Sequence, residues 1–188
     1  QNNSSLVNAG NPSENRGATD KDANGNARTV FCRIDIGALE NGIQRTATTI
    51  YVDKTATGSN NGTSWADAYT TLTAAISFGG TCIADDVILI AAGTYQENEY
   101  VIQVPKTIKG GYPVGGGLQD IKNNLTILDG SNLHRVLDVN YIGTLNLEGL
   151  TIQNGGNTNT GGGIKSIANL NLNYVNVINN SVGFSFGF

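Results

Sequence analysis

One stretch of this chain is written twice. Residues 144–154, TLNLEGLTIQN, align with residues 169–179, NLNLNYVNVIN, at a constant offset of 25 positions. Leu145 falls on Leu170, Leu147 on Leu172, Leu150 on Val175, Ile152 on Val177 and Asn154 on Asn179, and Ile142 and Ile167 keep the offset upstream. A unit this short cannot enclose a core alone. Self-similarity at a period of twenty-odd residues therefore implies that units stack on one another as a solenoid.

The pattern inside the unit selects the kind of solenoid. Leu145 and Leu147 alternate with polar residues, as one face of a short strand does. Leu150 and Ile152 repeat the alternation, but their phase slips across Glu148-Gly149, and across Asn173-Tyr174 in the second unit. A bend there keeps both apolar pairs pointing inward, and glycine eases it. Asn154 and Asn179 close the runs at positions suited to left-handed backbone, and stacked on one another they are expected to form an amide ladder. Two strands per unit, an inward aliphatic stack and a polar turn make an all-β fold, a parallel β-helix. A leucine-rich repeat would need a leucine framework and a helical segment that the units lack. The expected inward set is Leu145, Leu147, Leu150, Ile152, Leu170, Leu172, Val175 and Val177.

Composition agrees. Of 188 residues only 14% are charged, 39% are hydrophobic and 25 are glycine, the profile of a turn-rich extracellular β protein. The net charge of −4 disfavours a nucleic-acid partner. No apolar run approaches the length of a membrane span. Spacing leaves open whether Cys32 and Cys82 pair.

Residues 1–45 begin with a polar tail. In DKDANGN (20–26), Asp20, Asp22 and Asn24 alternate before Gly25, like the first half of a calcium loop, but Phe31 stands where the closing glutamate belongs. A plain Asx-rich turn explains the stretch as well. DANGNAR (22–28) and DIGALE (35–40) resemble the C-terminal end of bacterial secreted β-helix proteins, so this part is expected to be the remnant of a preceding unit.

Residues 46–188 are expected to hold an N-terminal cap and the first rungs. IYVDKTATGSNNGTSWADAYTTLTAAI (50–76) resembles the N-terminal opening of right-handed parallel β-helix proteins of the pectin-lyase-like superfamily. Ser64 with Asp67 reads as a capping pair. Trp65, Tyr69, Leu72 and Ile76 recur at helical spacing, predicting a capping α-helix over 64–78 that ends at Gly79-Gly80. DDVILIAAGTY (85–95), VIQVPKTIKGGY (101–112) and LTILDG (125–130) read as rungs, with 113–124 a loop excursion. GGGI (161–164) and VINNS (177–181) are similar to repeats of polymorphic outer-membrane proteins and related adhesins. An end-like segment before a beginning-like one suggests a piece of a longer chain.

Enzymes of that superfamily carry acidic clusters that are hard to find here. Asp85-Asp86 is an adjacent pair at the start of a strand, Arg135 is the only arginine after the linker, and His134 reads as a surface histidine without a role. Asp129, Asp138 and Glu148 lie in the right region, but Glu148 stacks on Asn173 and gains no second acid. No catalytic residue and no cofactor is assigned, with calcium at Asp20, Asp22 and Asn24 the one metal candidate. Ser64, Trp65, Leu147, Asn154, Leu172 and Asn179 are assigned structural roles. The expected protein is a secreted or bacterial cell-surface, non-catalytic, adhesin-like β-helix that binds polysaccharide or surface glycans and self-associates through its last rung. The alternative is part of a polysaccharide lyase or glycoside hydrolase with catalytic rungs beyond residue 188.

Overall fold

Wherever apolar residues alternate, the chain forms short strands. The computed structural model describes residues 47–78, 85–156 and 159–183, all within one compact unit. In chain order its elements are β1 (Thr49–Val52), α1 (Leu72–Ser77), β2 (Asp86–Ala91), β3 (Gly93–Tyr95), β4 (Tyr100–Ile102) and β5 (Lys106–Tyr112). There follow β6 (Thr126–Asp129), β7 (Leu137–Val139), β8 (Thr144–Glu148), β9 (Leu150–Gln153), β10 (Ile164–Ser166), β11 (Asn169–Asn173) and β12 (Asn176–Ile178).

The fold is all-β, and its sheets are parallel. One sheet has the order β1-β2-β5-β8-β11, a second β3-β6-β9-β12, and a third β4-β7-β10. From β2 onward each strand pairs with the strand three places later, so the chain visits the three sheets in rotation. One such passage is a circuit. The repeat pattern revealed two strands per circuit; the third, represented by β7 and β10, has three residues and too little alternation to be recognised.

Register follows the aliphatic residues. Leu170 pairs with Leu145, Leu172 with Leu147, and Val177 with Ile152, as the 25-residue offset requires. Ile50, Ile88, Ile108, Leu147 and Leu172 form one column through the first sheet. Tyr95, Leu128, Ile152 and Val177 form another through the second, and Tyr100, Leu137 and Ile164 one through the third. Residues from all three columns pack into a single core. Ile108 follows Ile88 by 20 positions, Leu147 follows Ile108 by 39, and Leu172 follows Leu147 by 25. The 39-residue circuit contains the excursion expected over 113–124, and the loop there runs on through Leu125 to the start of β6.

Burial stops at the last circuit. Leu145, Leu147, Leu150 and Ile152 are buried, but Leu170 and Val175 are half-buried, Leu172 is 48% exposed and Val177 46%. The expected inward set is thus only half enclosed. Among the described residues no strand pairs beyond β11 or β12 in its sheet, which is why the second copy of the repeat is less buried than the first.

The helix expected over 64–78 does not form, and no capping helix of that kind is present among the described residues. Ser64 Oγ donates to Asp67 Oδ2 at 3.1 Å and accepts the Asp67 N–H at 3.1 Å, but this reciprocal pair closes a turn. Asp67 also accepts the Ser59 N–H at 2.8 Å, which ties that turn to the preceding loop. Helix begins only at Leu72 and runs for six residues, burying Leu72, Ala75 and Ile76. Trp65 packs edge-on to Tyr51, with centroids 5.0 Å apart, and tilts against Tyr112 at 5.4 Å. Its packing partners are aromatic rings on β1 and β5, so the helical spacing of the stripe was incidental.

Candidate functional site

The loops linking the second sheet to the third stack on one side of the unit. Residues 96–99 and 130–136 there border an open cleft of about 500 Å³, lined by Gln96, Glu97, Asn98, Glu99, Ser131, Leu133 and His134, with Thr73 from α1. The lining is largely carboxylate, amide, hydroxyl and imidazole, a set suited to hydrogen-bonding a polar ligand.

Each carboxylate near the cleft is occupied by a group of the fold. Glu97 accepts the backbone N–H of Leu72 at 2.7 Å and of Thr73 at 3.0 Å, so it satisfies the open N-terminus of α1. Glu99 pairs with Arg135 Nη1, and the same nitrogen lies 3.4 Å from Asp138 Oδ2. Arg135 also donates through Nε to the Gly161 carbonyl at 3.0 Å, and Lys165 reaches Asp138 at 3.5 Å. Arg135 therefore clamps the loops of successive circuits together, a role its isolation in the sequence did not suggest.

Asp129 ends β6, two residues before Ser131 of the cleft lining. It accepts Gln153 Nε2 at 2.8 Å, Asn154 Nδ2 at 2.8 Å and the Ser131 N–H at 2.7 Å. Burial alone would raise its pKa; these bonds and one from Gln96 outweigh burial and hold it below the ordinary carboxylate value. Tyr100, on the adjoining β4, is pushed strongly upward, first by burial and then by the Glu97 charge, so its phenol stays protonated.

Asn154 and Asn179 adopt the left-handed backbone that their positions called for, with φ of 51° and 54°. The ladder expected between them is not present among the described residues: Asn154 turns to Asp129 in the preceding circuit. An amide ladder forms elsewhere, on the outer face of the first sheet. Asn171 Nδ2 donates to Asn146 Oδ1 at 2.9 Å, and Asn146 Nδ2 to Thr107 Oγ1 at 3.3 Å. Both asparagines sit between inward leucines, where alternation alone would have located them.

No protein-family model, curated protein or solved structure matches this chain. Its chemistry rests on these side chains.

The remaining candidates separate. Asp86 is buried, facing Lys106 Nζ at 3.4 Å and accepting the Thr48 N–H at 3.0 Å, so it is no part of an outward acidic pair. Glu148 stacks on Asn173 as expected and pairs with Lys109 at 3.0 Å. His134, expected to be without a role, lines the cleft. Gln96, Glu97, Asn98, Glu99 and Ser131 were not singled out; their loops fall at the same point of successive circuits, a signal visible only once the third strand is known. Asp20, Asp22, Asn24, Cys32 and Cys82 lie outside the described residues, as does the whole of 1–45. Among the described residues no three His, Cys, Asp or Glu side chains are grouped to hold a metal ion, and no helix is long and apolar enough to cross a membrane.

Proposed function

We propose that this unit is a right-handed parallel β-helix of a secreted or bacterial cell-surface protein, adhesin-like and non-catalytic, that holds glycans on its polar flank. The rotation of strands through three parallel sheets around one core supports the architecture, and parallel crossovers are right-handed in about 98% of cases. One observation carries the functional reading: the carboxylates around the cleft are engaged by backbone, arginine or amide groups of the fold. None is left facing another across open space as an acid and base would. Amide and hydroxyl groups, in the cleft and along the Thr107–Asn146–Asn171 row, remain to bind sugar hydroxyls.

Glu97, Glu99 and His134 around a single cleft favour the second reading, a polysaccharide lyase or glycoside hydrolase completed by circuits beyond residue 188. Affinity electrophoresis and product assays on neutral and acidic polysaccharides separate the two. Retardation without product is the expected outcome. Release of unsaturated or reducing sugars, abolished by Glu99→Ala, Asp129→Ala or Glu148→Ala, would overturn the proposal.

A further inference from the structure

The inward side of the first sheet changes chemistry along its length. Leu145 is buried in β8 and pairs with Leu170. One circuit earlier the same place is held by Lys106, since Thr107 pairs with Asn146, the residue after Leu145. One circuit earlier still it is held by Asp86, directly opposite Lys106 in register. The side chains of Lys106 and Asp86 are 1% and 0% exposed. Burying an ion pair costs solvation, and apolar residues in its place are often as stable or more so. Packing alone therefore does not account for a lysine and an aspartate where the later circuits carry leucine.

The pair is arranged as two reactants would be. Lys106 Nζ lies 3.4 Å from Asp86 Oδ2 and 3.4 Å from the Phe78 carbonyl oxygen. Asp86 Oδ1 accepts the Thr48 N–H at 3.0 Å, so one carboxyl oxygen is held by the backbone and the other faces the amine. Groups fixed about 3–3.5 Å apart react as if at very high concentration. Tyr141 is buried too, and its hydroxyl has no hydrogen-bond partner among the described residues. Burial first, then the Asp85 charge, push the pKa of that phenol up; the Lys106 N–H counters only part of the shift, so the hydroxyl stays protonated.

We infer that Lys106 and Asp86 condense to a side-chain amide that ties β2 covalently to β5, with Tyr141 as the proton carrier. The ammonium first passes a proton to Oδ2, giving the neutral amine and acid that an enclosed site favours over charges. The Nζ lone pair then attacks Cγ, while the Thr48 N–H steadies the negative charge growing on Oδ1. Tyr141 relays a second proton from Nζ to Oδ2, the Cγ–Oδ2 bond breaks, and water leaves. Nothing is oxidised or reduced, and no co-reactant is needed. The reaction runs once per chain, so it gives the protein no turnover.

Mass spectrometry on the full chain tests this. The denatured protein is expected to weigh one water less than its sequence. After cleavage by a glutamate-specific protease, segments 41–97 and 100–148 should remain joined through Asp86 and Lys106. The double variant Asp86→Leu, Lys106→Leu copies the later circuits and keeps both places filled; it should fold, show its full mass and release the two segments separately. Folded Tyr141→Phe should lose its water about tenfold or more slowly than the parent. Full mass and separate segments in the parent overturn the proposal. A loss of water that persists in the double variant overturns it equally, because the bond would then lie elsewhere. A parent-like rate in Tyr141→Phe overturns the assignment of the proton carrier.

Discussion

Gly149 and Tyr174 occupy the same bend one circuit apart, and both are left-handed, at φ of 65° and 51°. At Gly149 the bend is crowded: a Cβ built there would lie 2.8 Å from Ile121 Cγ1. Gly149→Ala is expected to lower stability by about 1–3 kcal/mol, from backbone strain and overlap together. Adding Ile121→Ala should recover the overlap part and leave the strain, read as a non-additive shift in the urea midpoint. Asp129 gives a prediction in pH. Its folded pKa is depressed, so its stabilisation is present above the unfolded value of about 3.9 and is lost as pH falls through the folded pKa. Asp129→Asn should cost about 1–3 kcal/mol at pH 7, and the gap to the parent should narrow below pH of about 4 in urea melts. The left-handed asparagines were legible because a closing asparagine has a local cause. That Asn154 would choose Asp129 was not, because the choice depends on a side chain one circuit back.

Strands and helix differ in how they are determined. β8, β9, β11 and β12 were readable because alternation and repetition agree, and each strand needs only the neighbour that the period supplies. α1 was misplaced by eight residues at its start, since Ser64 and Asp67 carry the signature of a cap. The N-cap residue Thr71 makes no side-chain capping bond; the cap comes from Glu97, 25 positions away, reaching Leu72 N–H. No local pattern contains that information. Glu97→Ala should therefore speed amide exchange at Leu72 and Thr73 and cost about 1 kcal/mol, whereas Ser64→Ala should leave those amides unchanged. Equal effects from the two substitutions would refute the assignment of the cap.

Across the whole molecule, the hydrogen-bonded ladders join only adjacent circuits, an arrangement whose stability resembles a sum over neighbours. The 113–125 excursion departs from that rule. Gly115 N–H donates to Asp53 Oδ2, 62 positions away at the β1 end, at 2.7 Å, and Gly116 lies against Trp65. Farther along, Gln119 Nε2 bonds the Gly110 carbonyl at 2.9 Å, and Ile121 covers the bends at Gly111 and Gly149. Beyond Gly149, Gln119, Asp120, Ile121 and Lys122 border a hollow of about 360 Å³ with Tyr174, in the last circuit. The excursion thus runs lengthwise across layers that otherwise communicate only one by one. Such a tie makes melting collective: fraying at one end must strain contacts at the other before it can spread. A single proteolytic nick between Val114 and Leu118 would leave every ladder bond in place, yet calorimetry should then show a broader transition, with a van't Hoff enthalpy below the calorimetric one.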